Sequence, residues 1–204
     1  MAGALFSLTI GVPVATAAPC PDIEVVFARG TTEPAGVGEV GQAFVDSLRA
    51  QTGGQSLEVY PVRYPASADY SNSSAAGAHD AADHVKSTVA KCPNTKIVLG
   101  GYSQGAVVID RITTQLPPHV ADHVAALAVF ANPSSEIARK LGGGGPLPTI
   151  GPLYLSKTID QCVPNDLICS DGRSLSAHEA HEYVQNGMTN NAAAFAASRL
   201  APAQ

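Results

Sequence analysis

The segment KIVLGGYSQGAVVI, residues 96–109, sets one hydroxyl, Ser103, between two apolar runs and flanks it with Gly101 and Gly105. The run before it, Ile97 to Gly100, has no polar alternation, which suits a short strand covered on both faces at the centre of a sheet. The run after it carries Ala106, Val107, Ile109 and Ile112, and its helical spacing begins at once at Gln104. A fully buried strand that turns straight into a helix admits few folds, because helices must then cover both faces of the sheet. The glycines let strand and helix approach closely, so Ser103 is expected on a tight, strained turn at the C-terminal end of the strand, its hydroxyl exposed and positioned to attack.

The same alternation runs along the rest of the chain. Residues 23–28 (IEVVFA) read as a strand, and the segment from Val37 places Val37, Val40, Phe44, Val45 and Leu48 on one helix face. Residues 57–64 predict a strand broken by Pro61, residues 73–91 a helix starting near Ser73 or Ser74, and residues 123–133 a further buried strand. The stretch from Pro133 to Pro152, with GGGGPLP, reads as surface loop, and a short last strand is expected around Ser156 to Ile159. Residues 189–200 close the chain as a helix. Together these predict an α/β fold, a three-layer α/β/α sandwich with a largely parallel central sheet, formed as a single domain over residues 19–204.

Charge and cysteine usage narrow the function. Only 14% of residues are charged, the net charge is -5, and Lys and Arg are scattered and never clustered, so nothing in the sequence resembles a phosphate-neutralising surface and nucleic acid is not an expected partner. No dinucleotide-binding glycine pattern follows the first strand and no phosphate-cradling GKS or GKT occurs, so no cofactor is expected. Residues 4–14 are apolar and lead to Ala15-Thr16-Ala17-Ala18, the pattern of a secretory signal peptide over residues 1–18, although a basic start is missing; the run is too short for a transmembrane segment. Cys20, Cys92, Cys162 and Cys169 match no common zinc spacing, so no metal is expected. They read as disulfide partners in a secreted chain. Cys162 and Cys169 are close enough to bridge across VPNDLI, while sequence alone permits three pairings.

A neutral serine needs a base and a group to orient that base. Asp110 lies seven residues into the helix after Ser103, and His119, Asp122 and His123 precede a strand at the sheet end opposite the serine. The last third of the chain therefore supplies the partners. Asp166, held between Cys162 and Cys169, is the favoured acid over Asp160 and Asp171, and His178 and His181 are the candidate bases in a loop before the final helix.

The motifs VVFARGTTE, GGYSQGA, CVPNDLIC and AHEAHEYVQNGM, in this order and spanning Cys20 to Leu200, resemble the cutinase family, particularly its secreted mycobacterial members. The resemblance implies a small lidless α/β-hydrolase that cleaves carboxylic esters with catalytic Ser103, Asp166 and His178. It also implies the pairings Cys20–Cys92 and Cys162–Cys169, and an oxyanion hole from the backbone N–H of Gln104 with Thr31 as the second donor position. Two departures stand out. Thr31 occupies a position where the family often has serine, so β-branching restricts its hydroxyl rotamer. The stretch HEAHEY offers two histidines; His178 keeps the family's distance from Cys169, and His181 is the alternative base.

The expected substrate is an ester or lipid-like small molecule with a short to medium acyl chain, rimmed by Leu147, Ile150, Leu153 and Leu155, and the expected state is a monomer. Two other readings use the same sequence. One is a secreted carbohydrate esterase of the acetylxylan type, disfavoured by the absence of Trp. The other is a nonenzymatic binding protein on a hydrolase scaffold.

Overall fold

The computed structural model describes residues 19–201, so the signal-peptide assignment for residues 1–18 lies outside the described residues. Five strands form one sheet: β1 (Ile23–Ala28), β2 (Leu57–Pro61), β3 (Lys96–Tyr102), β4 (Val124–Phe130) and β5 (Thr158–Gln161). Their order is β2-β1-β3-β4-β5 and every pairing is parallel, with β3 at the centre as its composition requires. Parallel neighbours need crossovers, and helices supply them. These are α1 (Gly38–Gln51), α2 (Tyr70–Lys91), α3 (Gln104–Thr113), α4 (Pro118–Ala121), α5 (Glu136–Leu141), α6 (Ala180–Gln185) and α7 (Met188–Leu200).

Alternation along the strands divides the core in two. Ile23, Val25 and Phe27 of β1 and Val98 of β3 pack toward α1 and α7, where Phe27, Phe44 and Phe130 form a cluster with ring centroids 5.9–6.3 Å apart. Val26 and Ala28 of β1, with Ile97 and Leu99 of β3, face α2 and α3 instead. An irregularity in the β3–β4 register at Ile97/Val98 leaves Val124 and Leu127, three residues apart, in the same layer. Both cystines form as the resemblance implied, Cys20–Cys92 closing 72 residues and Cys162–Cys169 closing 7. Chain-entropy arguments assign them about 4.4 and about 2.5 kcal/mol.

Several boundaries differ from the sequence reading. Helix α2 starts at Tyr70, because Ser73 and Ser74 are buried within it: Ser73 Oγ accepts from the Ser67 N–H (3.1 Å) and donates to Gln104 Oε1 (2.8 Å) instead of capping the helix. The glycine- and proline-rich stretch read as loop contains α5, started by Ser135 Oγ accepting from the Ala138 N–H (3.0 Å). The last strand runs from Thr158 to Gln161, two residues later than expected, because Leu155–Lys157 coil into a 3-10 turn. The loop assigned to both histidines is likewise short helices, Ser176–His178 and α6.

Asp110 sits on the inner face of α3, 1% exposed, with Asn132 Nδ2 3.5 Å from its carboxyl. Burial pushes this carboxyl up to about 8, helped by the nearby Asp160 and only partly offset by Asn132. The native state therefore holds a proton that the unfolded chain releases near pH 4, so stability falls as pH rises from about 4 through about 8. Asp110→Asn is expected to stabilise the fold at pH 8 by about 5 kcal/mol more than at pH 4. Urea midpoints at the two pH values check this; an equal shift at both would contradict it.

Candidate active site

Thr31, Ser103, Gln104, Asp166 and His178 come together in segments that follow the C-terminal ends of the strands, where ligands bind in open parallel sheets. Ser103 sits between β3 and α3 with φ 53° and ψ -116°, a strained conformation for a residue with a side chain. The glycines explain how it is held. A Cβ on Gly101 would lie 2.8 Å from Ala106 N and nearer still to the Gly105 carbonyl, and one on Gly105 would lie 2.6 Å from the Ala28 carbonyl carbon. Strand, turn and helix thus touch backbone to backbone, and Ser103 Oγ faces the cleft.

Ser103 Oγ lies 2.9 Å from His178 Nε2, and His178 Nδ1 lies 2.8 Å from Asp166 Oδ2. Donation from Nδ1 to the carboxylate leaves Nε2 free to accept from the serine hydroxyl. Asp166 is fully buried; Oδ1 accepts from the Ile168 N–H (2.7 Å), and Oδ2 also accepts from Tyr183 OH (2.5 Å). Burial pushes the Asp166 carboxyl up, but hydrogen bonds from His178, Tyr183 and Ile168 N–H, with the charge of the imidazole, outweigh it and hold the group below the usual carboxylate range. Asp166 is placed by the Cys162–Cys169 loop, where its N–H donates to Val163 O and its carbonyl accepts from Ser170.

Two tyrosines complete the arrangement. Tyr102 stacks on the His178 ring at 5.6 Å between centroids and donates its hydroxyl to the His178 carbonyl. Tyr183 is fully buried and meets Tyr102 edge-on at 5.5 Å. Sequence reasoning missed both as contributors to the site; the only signal was that a buried tyrosine must find a partner for its hydroxyl. His181, the alternative base, is partly exposed and lies against Glu179 (3.4 Å) and Glu182 (3.3 Å), so His178 is the histidine at Ser103.

Gln104 begins α3, where an N–H has no acceptor within the helix. Its side-chain amide donates to Ser67 O (2.8 Å) and toward Thr31 Oγ1 (3.4 Å), tying the loops after β1 and β2 to the start of α3. The Thr31 oxygen accepts there and keeps its own hydrogen to donate. The loop after β1 is further fixed by Glu33, whose carboxylate accepts from the Gly30 N–H (2.5 Å) and the Glu39 N–H (2.9 Å).

A cleft of about 260 Å³ opens over Ser103 and His178. Of the four residues expected to rim it, only Leu147 does; Ile150 packs on the core behind α3, while Leu153 and Leu155 point to solvent. The apolar lining comes instead from Val107 on α3, Ala138 and Leu141 on α5, Ile168 and Leu175. Among the described residues no group of three metal-binding side chains occurs and no helix is long and apolar enough to cross a membrane.

Comparison with known proteins agrees with this geometry. A family model described as Cutinase matches residues 19–200. Carboxylesterase Culp1 of Mycobacterium tuberculosis is 59% identical over 197 residues, covering 97% of this chain and 90% of that protein. The structure resembles Trichoderma reesei cutinase in complex with a C11Y4 phosphonate inhibitor, with TM-score 0.72 and 33% identity over 90% of this chain and 78% of that one. It also resembles an acetyl xylan esterase, with TM-score 0.75 and 25% identity over 90% of this chain and all of that one.

Proposed function

From the premise that this chain belongs to the cutinase family, we propose that it is a secreted serine esterase acting on carboxylic esters of short to medium acyl chain. The observation that carries the reading is the unbroken path from Ser103 Oγ through His178 to the buried Asp166, at 2.9 and 2.8 Å, opening on an apolar cleft.

Ser103 Oγ attacks the ester carbonyl as His178 Nε2 takes its proton, and Asp166 stabilises the resulting imidazolium. The oxyanion is met by the N–H of Gln104 at the start of α3 and by donors of Thr31. His178 then gives its proton to the leaving alcohol. Water, activated by the same histidine, releases the acid from the acyl-enzyme. Tyr183 holds the acid of the triad and Tyr102 the backbone of the base; both are positioning residues. Two cystines support an oxidising, extracellular setting.

Initial rates on p-nitrophenyl esters from acetate to palmitate test the reading. A maximum between butyrate and octanoate is expected, and labelling of Ser103 by an organophosphonate should abolish it. Activity confined to acetate would favour the acetyl xylan esterase likeness, and a maximum at palmitate would overturn the acyl-chain assignment. Failure to hydrolyse any ester or to label would return the nonenzymatic reading.

A further inference from the structure

Helix α3 carries more of the cleft than its first residue. Ser103, Val107 and Arg111 all line it, and their four-residue spacing keeps them on one face of the helix. Eight residues separate Arg111 from Ser103 by about 12 Å along the helix axis. The facing wall is the end of α5 and the segment Pro146–Pro148, which is anchored beyond by the Gly151 N–H donating to Thr113 Oγ1 (2.8 Å).

Among the described residues, Arg111 is a cation without a partner in this apolar setting. Its Nε is buried with no hydrogen bond, and among the described residues its guanidinium makes no ion pair. Asp110, its neighbour in sequence, turns into the core toward Asn132, and Glu136 on the facing helix α5 pairs with Arg139 and Lys140. An unmet buried donor is a cost that a bound acceptor would recover. The planar guanidinium fork matches a carboxylate or phosphate.

We propose that Arg111 is a specificity-determining residue that binds an anionic oxygen group, carboxylate or phosphate, carried by the ester away from its reacting carbonyl. The proposal rests on the esterase reading above. It makes the cleft a two-point site, with the carbonyl at Ser103 and the anion toward the far end of α3. A guanidinium that merely packs its stem on the cleft and hydrates its head would give no such preference.

The test compares the unsubstituted protein with Arg111→Gln and Arg111→Lys on three substrate types. Mono-p-nitrophenyl esters of ω-carboxy acids, hexanedioate to dodecanedioate, place the anion on the acyl side; a short-chain glycerophosphocholine diester places it on the alcohol side; p-nitrophenyl octanoate is the neutral reference. Arg111→Gln is expected to lower the ratio of kcat/KM for one anionic series to that for octanoate by about 10- to 100-fold, with part restored in Arg111→Lys. The series that falls identifies the side on which the anion sits. An unchanged ratio in both series overturns the proposal. Calorimetric binding of the octanedioate monoester to Ser103→Ala protein, with and without Arg111→Gln, separates the two readings. The short-chain glycerophosphocholine is titrated in the same way: weaker binding of either ligand without Arg111 supports the anion site even if no ester is turned over, and binding of both ligands indifferent to Arg111 overturns it.

Discussion

Ser103→Ala is expected to lower kcat on p-nitrophenyl butyrate by about 10⁴-fold or more, leaving at most the residual rate that the oxyanion donors and binding supply. The loss should be chemical, not structural. Alanine keeps the Cβ that already tolerates φ 53° at this turn, and the hydroxyl removed makes one hydrogen bond, to His178. Far-ultraviolet circular dichroism and the urea midpoint should therefore stay close to those of the parent. His178→Ala should cost nearly as much, and the double variant little more than either alone, because the serine, the base and its orienting acid act as one unit. His181→Ala should leave kcat within a small factor, since its ring lies against Glu179 and Glu182 and makes no contact with the serine. Ester hydrolysis retained by Ser103→Ala, or lost in His181→Ala with His178→Ala intact, would refute the assignment.

The parts of this site that were legible in the sequence are those fixed by local chemistry. Residues 97–105 announce a buried strand and a sharp turn because their apolar run and glycines allow little else, and β3, α3 and Ser103 lie where that pattern puts them. Asp166 was legible because a cystine joining positions only seven apart restricts where a carboxylate between them can point. What escaped depends on partners distant in sequence. Ser73 looks like a helix cap until Gln104, 31 residues away, takes its hydroxyl. Tyr183 looks like an ordinary core residue until Asp166 is folded against it. Helix α5 hides in a proline- and glycine-rich stretch because its first turn is held by Ser135, which also donates to Leu167 O (2.6 Å) across the cleft wall. The acyl groove was misread for the same reason: hydrophobicity marked Leu153 and Leu155, but the path of the chain after α5 turns them outward and brings Leu141 and Leu175 to the cleft.

Gly105→Ala is expected to be the most destabilising single methyl that the site can receive, costing about 3–5 kcal/mol or preventing folding. The added carbon would lie 2.6 Å from the carbonyl carbon of Ala28 and 2.7 Å from the Arg29 carbonyl oxygen, and closest of all to the Ala28 oxygen. Neither side can retreat. Ala28 ends β1, a fully buried strand paired on both edges, and Gly105 is locked in the first turn of α3, whose inner face is packed against the sheet. The control is Gly145→Ala, where the new methyl meets nothing within 4 Å; it should stay within about 0.5 kcal/mol of the parent in urea unfolding. The comparison separates the removal of glycine flexibility from the loss of close backbone approach. If Gly105→Ala unfolded at the parent midpoint, the contact between β1 and α3 would have to be soft, and the strained backbone of Ser103 could not be attributed to it. A large loss confined to Gly105 would instead tie the geometry of the nucleophile to the same contact that closes the core, so that neither could be changed without the other.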